Sequence, residues 1–497
     1  MNRRNIITFL TLMALFLSVN TARASNFADT YGFSAQGIAM GNAMCAIVND
    51  WSSVYYNISG LGKTRHRKGL TEAAKPKLVH KYKTLLTGKS TASKKDPEKK
   101  SEEFYPNQIA ISYFHTQPML SLDINRTRDA SHGYEPLETN AAKDLGYGVM
   151  IIGVAFDLNK IYKMPEFISS ARFGLGLGSL ANGYAQRVND IDMKTHDFLR
   201  YGRETQRAVI LAGIGLGFLD DSFGFGVGGN IQFRGQGSTL LTNVEVGPSE
   251  QTPQAQSKMD LKTVPAVVAG AYFSPGRFFK GIDFLKGLDL GLTYRQETYM
   301  EIYPFQTSTQ MTIGGMEMGM NMAIFDFYTP HIFSAGAAYT FWYLTISAEL
   351  QYEMWSKYKV SKTTQIIYEE ALRTKGEDYR LPVYKDILVP KLGISYEALD
   401  WLTLMAGYYY QPSFIPPSET KGVINVLDND KHVGSLGARF SIPRSGGMGG
   451  PVDITIAGQG QYCVSRTVTK NNPTTYNPNY SYGGWVPSGI IEVTMRL

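Results

Sequence analysis

The chain of 497 residues carries only two cysteines, Cys45 and Cys463. Two cysteines cannot build the disulfide framework of a small secreted scaffold. His-Glu-x-x-His and Cys-x-x-Cys are absent and the histidines are scattered, so no metal and no cofactor are expected. Beyond the first residues, no stretch approaches the ~20 apolar residues that a membrane-spanning helix requires. A Gly-x-Ser-x-Gly or Ser-His-Asp context is also missing, which argues against an enzyme. Charge is sparse: Asp, Glu, Lys and Arg make up 19% of the chain and the net charge is +6. Stacking aromatics among the basic residues and base-reading modules are lacking, so nucleic acid is not an expected partner.

What is present begins with an export signal. Arg3 and Arg4 precede an apolar run from Ile6 to Val19, followed by the small-x-small site Ala22-Arg23-Ala24. Residues 1–24 therefore read as a signal peptide cleaved after Ala24. An exported chain without a helix-length apolar run crosses a membrane, if it does so, as strands. Composition agrees. Mean hydropathy is −0.18, yet aromatics reach 12% and glycines number 50. Alternating lipid-facing apolar and lumen-facing polar side chains cancel the mean hydropathy, and Tyr and Phe supply the two interfacial girdles. The competing reading is a large soluble β protein.

The alternation is clearest at the C-terminus. Gly489, Ile491, Val493, Met495 and Leu497 form one face; Ser488, Ile490, Glu492, Thr494 and Arg496 form the other. Val452, Ile454 and Ile456 alternate with Asp453, Thr455 and Ala457, which places Gln459, Gln461 and Cys463 in the lumen. The same rule gives earlier strands near 433–442, 401–410, 387–396, 343–354, 331–340, 286–298, 263–274, 222–234, 207–218, 171–180, 145–156 and 104–124. The expected fold is all-β, an antiparallel transmembrane barrel of about 14 strands, the even number single-chain bacterial barrels require. A periplasmic C-terminus puts the long connections outside, at 181–206, 235–262, 299–330, 355–386, 411–432 and 465–487. Short turns such as 219–222 and 397–400 then fall inside. Three successive strands turn glycine inward: Gly174, Gly176 and Gly178; Gly213, Gly215 and Gly217; Gly224, Gly226 and Gly228. That stripe reads as room for a plug, as a weak wall where a ligand leaves sideways, or as relief of crowding in a twisted sheet.

Four regions carry a family resemblance. They are the segment Gly37-Ile-Ala-Met-Gly-Asn-Ala43 through Asp50, then Val54-Tyr-Tyr-Asn-Ile-Ser-Gly-Leu61, then the pair Pro330 to Tyr339 and Leu344 to Ser356, and last Ala406 to Ser413 with Pro416, Asp428 to Lys431 and Ser435 to Ala438. In order and spacing, the chain resembles the FadL/TodX family of outer-membrane transporters for long-chain fatty acids and hydrocarbons. The family's Tyr-Asn-Pro-Ala-Gly-Leu signature has Ile58-Ser59 in place of Pro-Ala here. The resemblance implies a fourteen-stranded barrel closed by an N-terminal hatch. It also implies that hydrophobic ligands bind outside, shift into the barrel and leave through a lateral gap. The expected organisation is a signal peptide at 1–24, a hatch plugging the lumen at 25–61, a flexible basic insertion at 62–103 and the barrel at 104–497. The expected location is the cell outer membrane. The expected partners are a long-chain fatty acid or other hydrophobic ligand and outer-membrane lipids, with the chain as a monomer.

In the hatch, Gly37, Gly41, Asn57 and Gly60 are the candidate gating residues, through close packing, positive φ and hydrogen bonds. Phe27, Phe33, Trp51, Tyr55 and Tyr56 either line a ligand pocket or pack against the wall. Arg439 and Arg496 face the lumen by alternation, to meet a ligand carboxylate or to pair with Glu492 or Glu349. Met316, Met318 and Met320 lie in a methionine-rich run that offers a soft apolar surface or ordinary strand packing. The basic run suits a solvated segment or anionic headgroups. Cys45 and Cys463 are candidates for a disulfide tethering the hatch. Three functions compete: passive uptake of hydrophobic molecules, a binding or shuttle protein that engages a protein partner, and a barrel enzyme.

Overall fold

The computed structural model describes residues 27–63, 106–125, 146–162, 164–181, 196, 198–201, 206, 208–244, 254–279, 281–311, 317–358, 362–443, 450–474 and 477–497. The signal peptide, nearly all of the basic insertion and Met316 lie outside the described residues. The strands are β1 (Gln108–Thr116), β2 (Met119–Asn125), β3 (Tyr147–Asp157), β4 (Ile168–Leu180), β5 (Val209–Phe218), β6 (Phe223–Val244), β7 (Gln254–Phe273) and β8 (Leu288–Arg295). They continue as β9 (Thr298–Met311), β10 (Glu317–Thr329), β11 (Ile332–Phe341), β12 (Leu344–Glu353), β13 (Ile387–Leu399), β14 (Leu402–Gln411), β15 (Lys431–Ile442), β16 (Val452–Val468) and β17 (Asn479–Arg496).

Fourteen of these close a ring. Each pairs antiparallel with its neighbours, with β8 pairing directly with β11 and β17 returning to β1. Closure leaves no strand edge facing lipid, where an unpaired backbone group would cost several kcal/mol. The other three strands are additions at the long-loop rim. A break at Gln117 and Pro118 separates β2 from β1, and β2 pairs with the outer part of β17. In the β9–β10 hairpin, β9 pairs parallel with the outer half of β6.

The two-residue period places side chains as alternation predicts. Ile491 and Val493 are exposed on the outer wall, while Ile490, Glu492 and Thr494 are buried inside. The short-turn rim is tight: Leu219, Asp220 and Asp221 all hold positive φ, a region that Asp enters more readily than most residues. At the opposite rim the structure corrects the loop boundaries. Most of 235–262 and 299–330 is strand, 355–386 contains the helix Lys362–Lys375, and 465–487 is strand as far as Val468 and again from Asn479. The physical reason is that β16 and β17 go on pairing beyond the apolar band, with Val468 opposite Tyr480 and Thr467 opposite Ser481.

The lumen is filled by the N-terminal segment, which forms the core. It contains helices α1 (Phe27–Tyr31), α2 (Ala35–Ala39) and α3 (Ser53–Tyr56), then a 3-10 turn at Ile58–Gly62. Helices of four or five residues are unstable alone in water. These persist because the barrel encloses them: Phe27, Phe33, Ile38, Trp51 and Leu61 are all almost fully buried. Ser34 caps α2 by accepting from the Gly37 amide at 3.1 Å.

Candidate functional site

The candidate site is the seam between plug and wall, and its two sides differ in chemistry. One side is dry. The inward glycines of β4, β5 and β6 leave the space into which the plug's apolar groups fit. A Cβ at Gly174 would lie 2.6 Å from Val54 and one at Gly176 2.6 Å from Phe33. At Gly178 it would meet Phe27 at 2.5 Å, and at Gly213 and Gly228 it would meet Ile58 at 2.3 and 2.5 Å. Contacts below 3 Å exclude any larger residue, so the stripe is the plug's seat. Ile58, at the position where the family signature has proline, fills the β5–β6 part of that seat.

The other side is polar. On β8, Arg295 Nη1 donates to Asp29 Oδ1 at 2.7 Å, and the Tyr55 hydroxyl donates to the same oxygen at 2.8 Å. On β12, Glu349 accepts from the Cys45 amide at 2.9 Å and from Lys391 Nζ at 2.9 Å. Ser347 donates to the Ala43 carbonyl at 2.6 Å, and Gln459 and Gln461 reach the Tyr31 and Thr30 carbonyls at 3.1 and 3.0 Å. Two small cavities flank the Arg295–Asp29 pair, of about 30 Å³ and 20 Å³. Each has room for a water or so, and neither admits a hydrocarbon chain.

At the short-turn end a single guanidinium holds the plug. Arg172, on β4 and 1% exposed, donates to the carbonyls of Asn49 at 2.8 Å, Gly60 at 3.1 Å and Lys63 at 2.6 Å, and also to that of Leu61. Arg172 was missed in the sequence. A lone arginine in a strand gives no local sign that its partners lie more than a hundred residues earlier.

The four glycine and asparagine candidates all sit at contacts. A Cβ at Gly37 would fall 2.0 Å from the Tyr56 hydroxyl. Gly41 has φ +60 and lies against the backbone of Gly407 and Tyr408, so it needs both its conformation and its lack of a side chain. Gly60 abuts the Val48 carbonyl. Asn57 ties plug to wall, since its Nδ2 donates to the carbonyls of Cys45 at 2.7 Å and Ala271 at 3.1 Å. Its Oδ1 accepts from the Ser59 hydroxyl at 2.7 Å, a bond that alanine at 59 would not make. Asn57→Ala leaves these buried groups unpaired at about 1–3 kcal/mol. The expected result is faster trypsin cleavage after Lys63 in the folded barrel, at unchanged barrel migration on a gel.

The aromatic candidates pack on the wall. Phe27 lies 6.4 Å from Phe114, Phe33 lies 5.5 Å from Trp51, and Trp51 covers Gly153. Tyr55 and Tyr56 are hydrogen-bonded within the plug, Tyr56 donating to Asn42 at 2.9 Å. Arg439 faces the lumen and donates to Gln36 of the plug, while Arg496 pairs with Asp453. Neither pairs with Glu492 or Glu349, because Glu492 is taken by the Ala35 amide and Ser112. Met318 and Met320 lie in β10, whose side chains at those positions are outside the described residues. Cys45 and Cys463 are both free and buried, so the tethering disulfide is corrected. Cys45 faces Ser334 on β11, and Cys463 lies on β16 beside Tyr201.

Above the plug, toward the long loops, lies a buried aromatic cluster. Trp355 and Phe414 stack at 3.9 Å, and Arg200 lies over both rings at 5.1 and 5.2 Å. Arg200 is paired with Asp428 at 3.2 Å. Lys431, 1% exposed, lies over the Tyr201 ring at 5.6 Å, and its Nζ has no hydrogen-bond partner. Burial pushes the Tyr201 and Tyr384 phenols well above the ordinary value, so both stay neutral donors. The Tyr384 hydroxyl is likewise unpartnered.

No protein-family model matches the chain. Among curated proteins it is similar to alkane uptake protein A of Marinobacter nauticus, 23% identical over 316 residues, which cover 61% of this chain and 67% of that protein. Among solved structures it is similar to a Pseudomonas aeruginosa FadL homologue, 13% identical with a TM-score of 0.48, covering 96% of this chain and 99% of that one. It is also similar to the P. putida toluene transporter TodX, 13% identical with a TM-score of 0.48, covering 94% and 99% respectively.

Proposed function

We propose that this chain takes up hydrophobic small molecules across the bacterial outer membrane, by passive diffusion gated by its N-terminal hatch. The observation that carries this reading is the two-sided seat of the plug. An apolar ligand gains ~0.8 kcal/mol for each methylene it moves from water to an apolar site. A water-filled pore offers it nothing, and a fixed plug would block it. Here the plug rests on the glycine wall through apolar packing, with Arg172 as its polar tie at the short-turn end. It is held on the opposite wall by polar contacts beside two small cavities. Release of Asp29 from Arg295 and of Cys45 from Glu349 lets the hatch swing off β8–β14 first, and Ile58 and Leu61 then leave β4–β6.

The buried aromatic cluster is the entry, and it has to part for a ligand to pass. Trp355 and Phe414 would then face the ligand, with Lys431 Nζ, which has no hydrogen-bond partner, near any carboxylate it carries. Lateral exit belongs to the same reading and is drawn to the β4–β6 wall, where plug groups fill most of the space the glycines leave. Similarity to an alkane uptake protein and to a toluene transporter supports the ligand class: alkanes, aromatic hydrocarbons or long-chain fatty acids.

Uptake of labelled hexadecane and labelled oleate, in cells lacking their own outer-membrane transporter, tests the proposal. The expected result is uptake that depends on this chain and falls to background when residues 25–61 are deleted. Absence of uptake of both, with the barrel folded in the membrane, overturns it. A protein co-purifying with the barrel in that case identifies the shuttle role instead.

A further inference from the structure

The outer face of the long-loop rim has an unusual composition. Four histidines lie among the described residues, at 115, 196, 331 and 432, and three of them point outward at this rim. Each of the three stands against a tyrosine. His115 stacks on Tyr113 with rings 6.5 Å apart. His331 stacks on Tyr294, whose hydroxyl is 3.0 Å from its Nδ1. His432 has the Tyr408 hydroxyl 2.7 Å from its Nδ1 and the Tyr410 ring at 5.0 Å. By contrast, the short-turn rim presents Phe341, Trp342 and Trp401, without histidine among the described residues.

The level of these groups is that of lipid headgroups. From Phe333 to Phe341, the outward residues of β11 span eight steps, about 27 Å of strand, which a barrel tilt reduces to roughly the apolar band of a membrane barrel. His331 lies just beyond that band. The rung through His115 passes Gly489 and Gly458 to Leu436, and His432 lies four residues further out on the same strand as Leu436. Strand tilt brings His115 and His432 back to similar heights, about 20 Å apart along the wall. The arc between them carries Tyr462 and Trp485, with rings 4.7 Å apart and both exposed.

The charges around each ring differ. His331 Nε2 lies 3.7 Å from Glu297, so a local carboxylate occupies it. Next along the rim, Tyr352 donates to Asp386 at 2.6 Å, which makes that sector acidic. His432 is flanked by Tyr410 of β14 and Tyr462 of β16; Asp430, two residues back on the chain, accepts from the Ser413 amide at 2.7 Å and from Tyr410. The cross-strand partners of His115 are Gly148 and Gly489, which bring no charge. When Nδ1 accepts from tyrosine, Nε2–H is left to donate, and protonation adds a full positive charge.

We infer that the β14-to-β1 arc of the long-loop rim binds phosphate groups of outer-leaflet glycolipid through His115 and His432, with Tyr408, Tyr410, Tyr462 and Trp485 packed on the sugar and upper acyl region. This rests on the long-loop rim being extracellular. Labelling of an Ile366→Cys variant on intact cells with an impermeant maleimide checks that orientation separately, since Ile366 is exposed and both native cysteines are buried.

The test uses the full chain in phosphatidylcholine nanodiscs doped with lipid A, either bisphosphorylated or dephosphorylated, with native mass spectrometry at pH 5.5 counting retained lipids. The expected result is preferential retention of the phosphorylated form. That preference should fall about tenfold in the His115→Gln/His432→Gln variant, the scale of a hydrogen bond to a charged group. Heat-modifiable gel migration confirms that the variant is folded. Equal retention of the two lipids, or an unchanged preference in the double variant, overturns the assignment.

Discussion

Replacing Arg172 with alanine is expected to unseat the plug while the barrel stays closed. The guanidinium meets four plug carbonyls at once, those of Asn49, Gly60, Leu61 and Lys63. It lies at the end where the plug chain leaves the lumen, beside Ser170 and Tyr272, which also contact the Gly62 carbonyl. Alanine leaves these buried acceptors without their donor, at ~1–3 kcal/mol for each that water does not reach. A total loss near 3 kcal/mol raises the unseated population about a hundredfold. Cys45 provides the readout, because it is 1% exposed in the seated plug. In a Cys463→Ser background, maleimide labelling of Cys45 should accelerate by about that hundredfold. The ring should survive, because the β3–β4 and β4–β5 ladders are backbone pairings that do not involve the side chain. Arg172→Lys should fall between, since an ammonium reaches fewer carbonyls than a planar guanidinium. Labelling as slow as in the parent would mean that the polar clamp does not hold the hatch.

How much of this was legible in the sequence depends on where a physical constraint acts. Inside the membrane, one face of each strand meets lipid and the other meets the lumen, so alternation imprints every ring strand and all fourteen could be read. Beyond the apolar band that constraint ends. On the outer parts of β16 and β17, Val468, Tyr480 and Tyr482 are buried against the rest of the rim and do not alternate against lipid, so segments such as Ser465 to Trp485 look like loops. The glycine stripe was visible for the same reason as the strands. What fills it was not, because Ile58 and Leu61 meet β4–β6 only through the fold. The charged partners follow suit. Arg439 could be placed facing the lumen, but its partner is Gln36, far away in the chain, and no spacing rule distinguishes it from Glu492. Asn57 was legible through the family signature, and its two carbonyl partners on plug and wall explain what that position does. The cysteines show the limit most simply: Cys463 was expected to face inward from the wall and does, while Cys45 in the hatch meets β11, a different sector of the wall.

That separation allows a reversible lock. A Cβ added at Gly336, on β11, would stand 3.0 Å from the Cβ of Cys45. A disulfide holds its two Cβ atoms at ~3.5–4.5 Å, so Gly336→Cys needs the plug to give by less than 1 Å. The native Cys45 would then bridge to the β11 wall, on the polar side, where hatch release must begin in the proposed mechanism. Oxidised Gly336→Cys barrels should take up hexadecane and oleate at background level, and dithiothreitol should restore uptake to that of the parent. The dry β4–β6 seat is untouched, so the oxidised protein should also be the more heat-stable form, because a bridge removes the freedom of the plug to leave. Reduction separates a lock from a clash, since the extra side chain is present in both states and only the covalent bond differs. Full uptake through an oxidised barrel whose bridge is confirmed by intact mass would show that ligand passes without the hatch leaving β11. The whole passage, entry and exit, would then have to run along the glycine wall, with Ile58 and Leu61 yielding while Cys45 stays on β11.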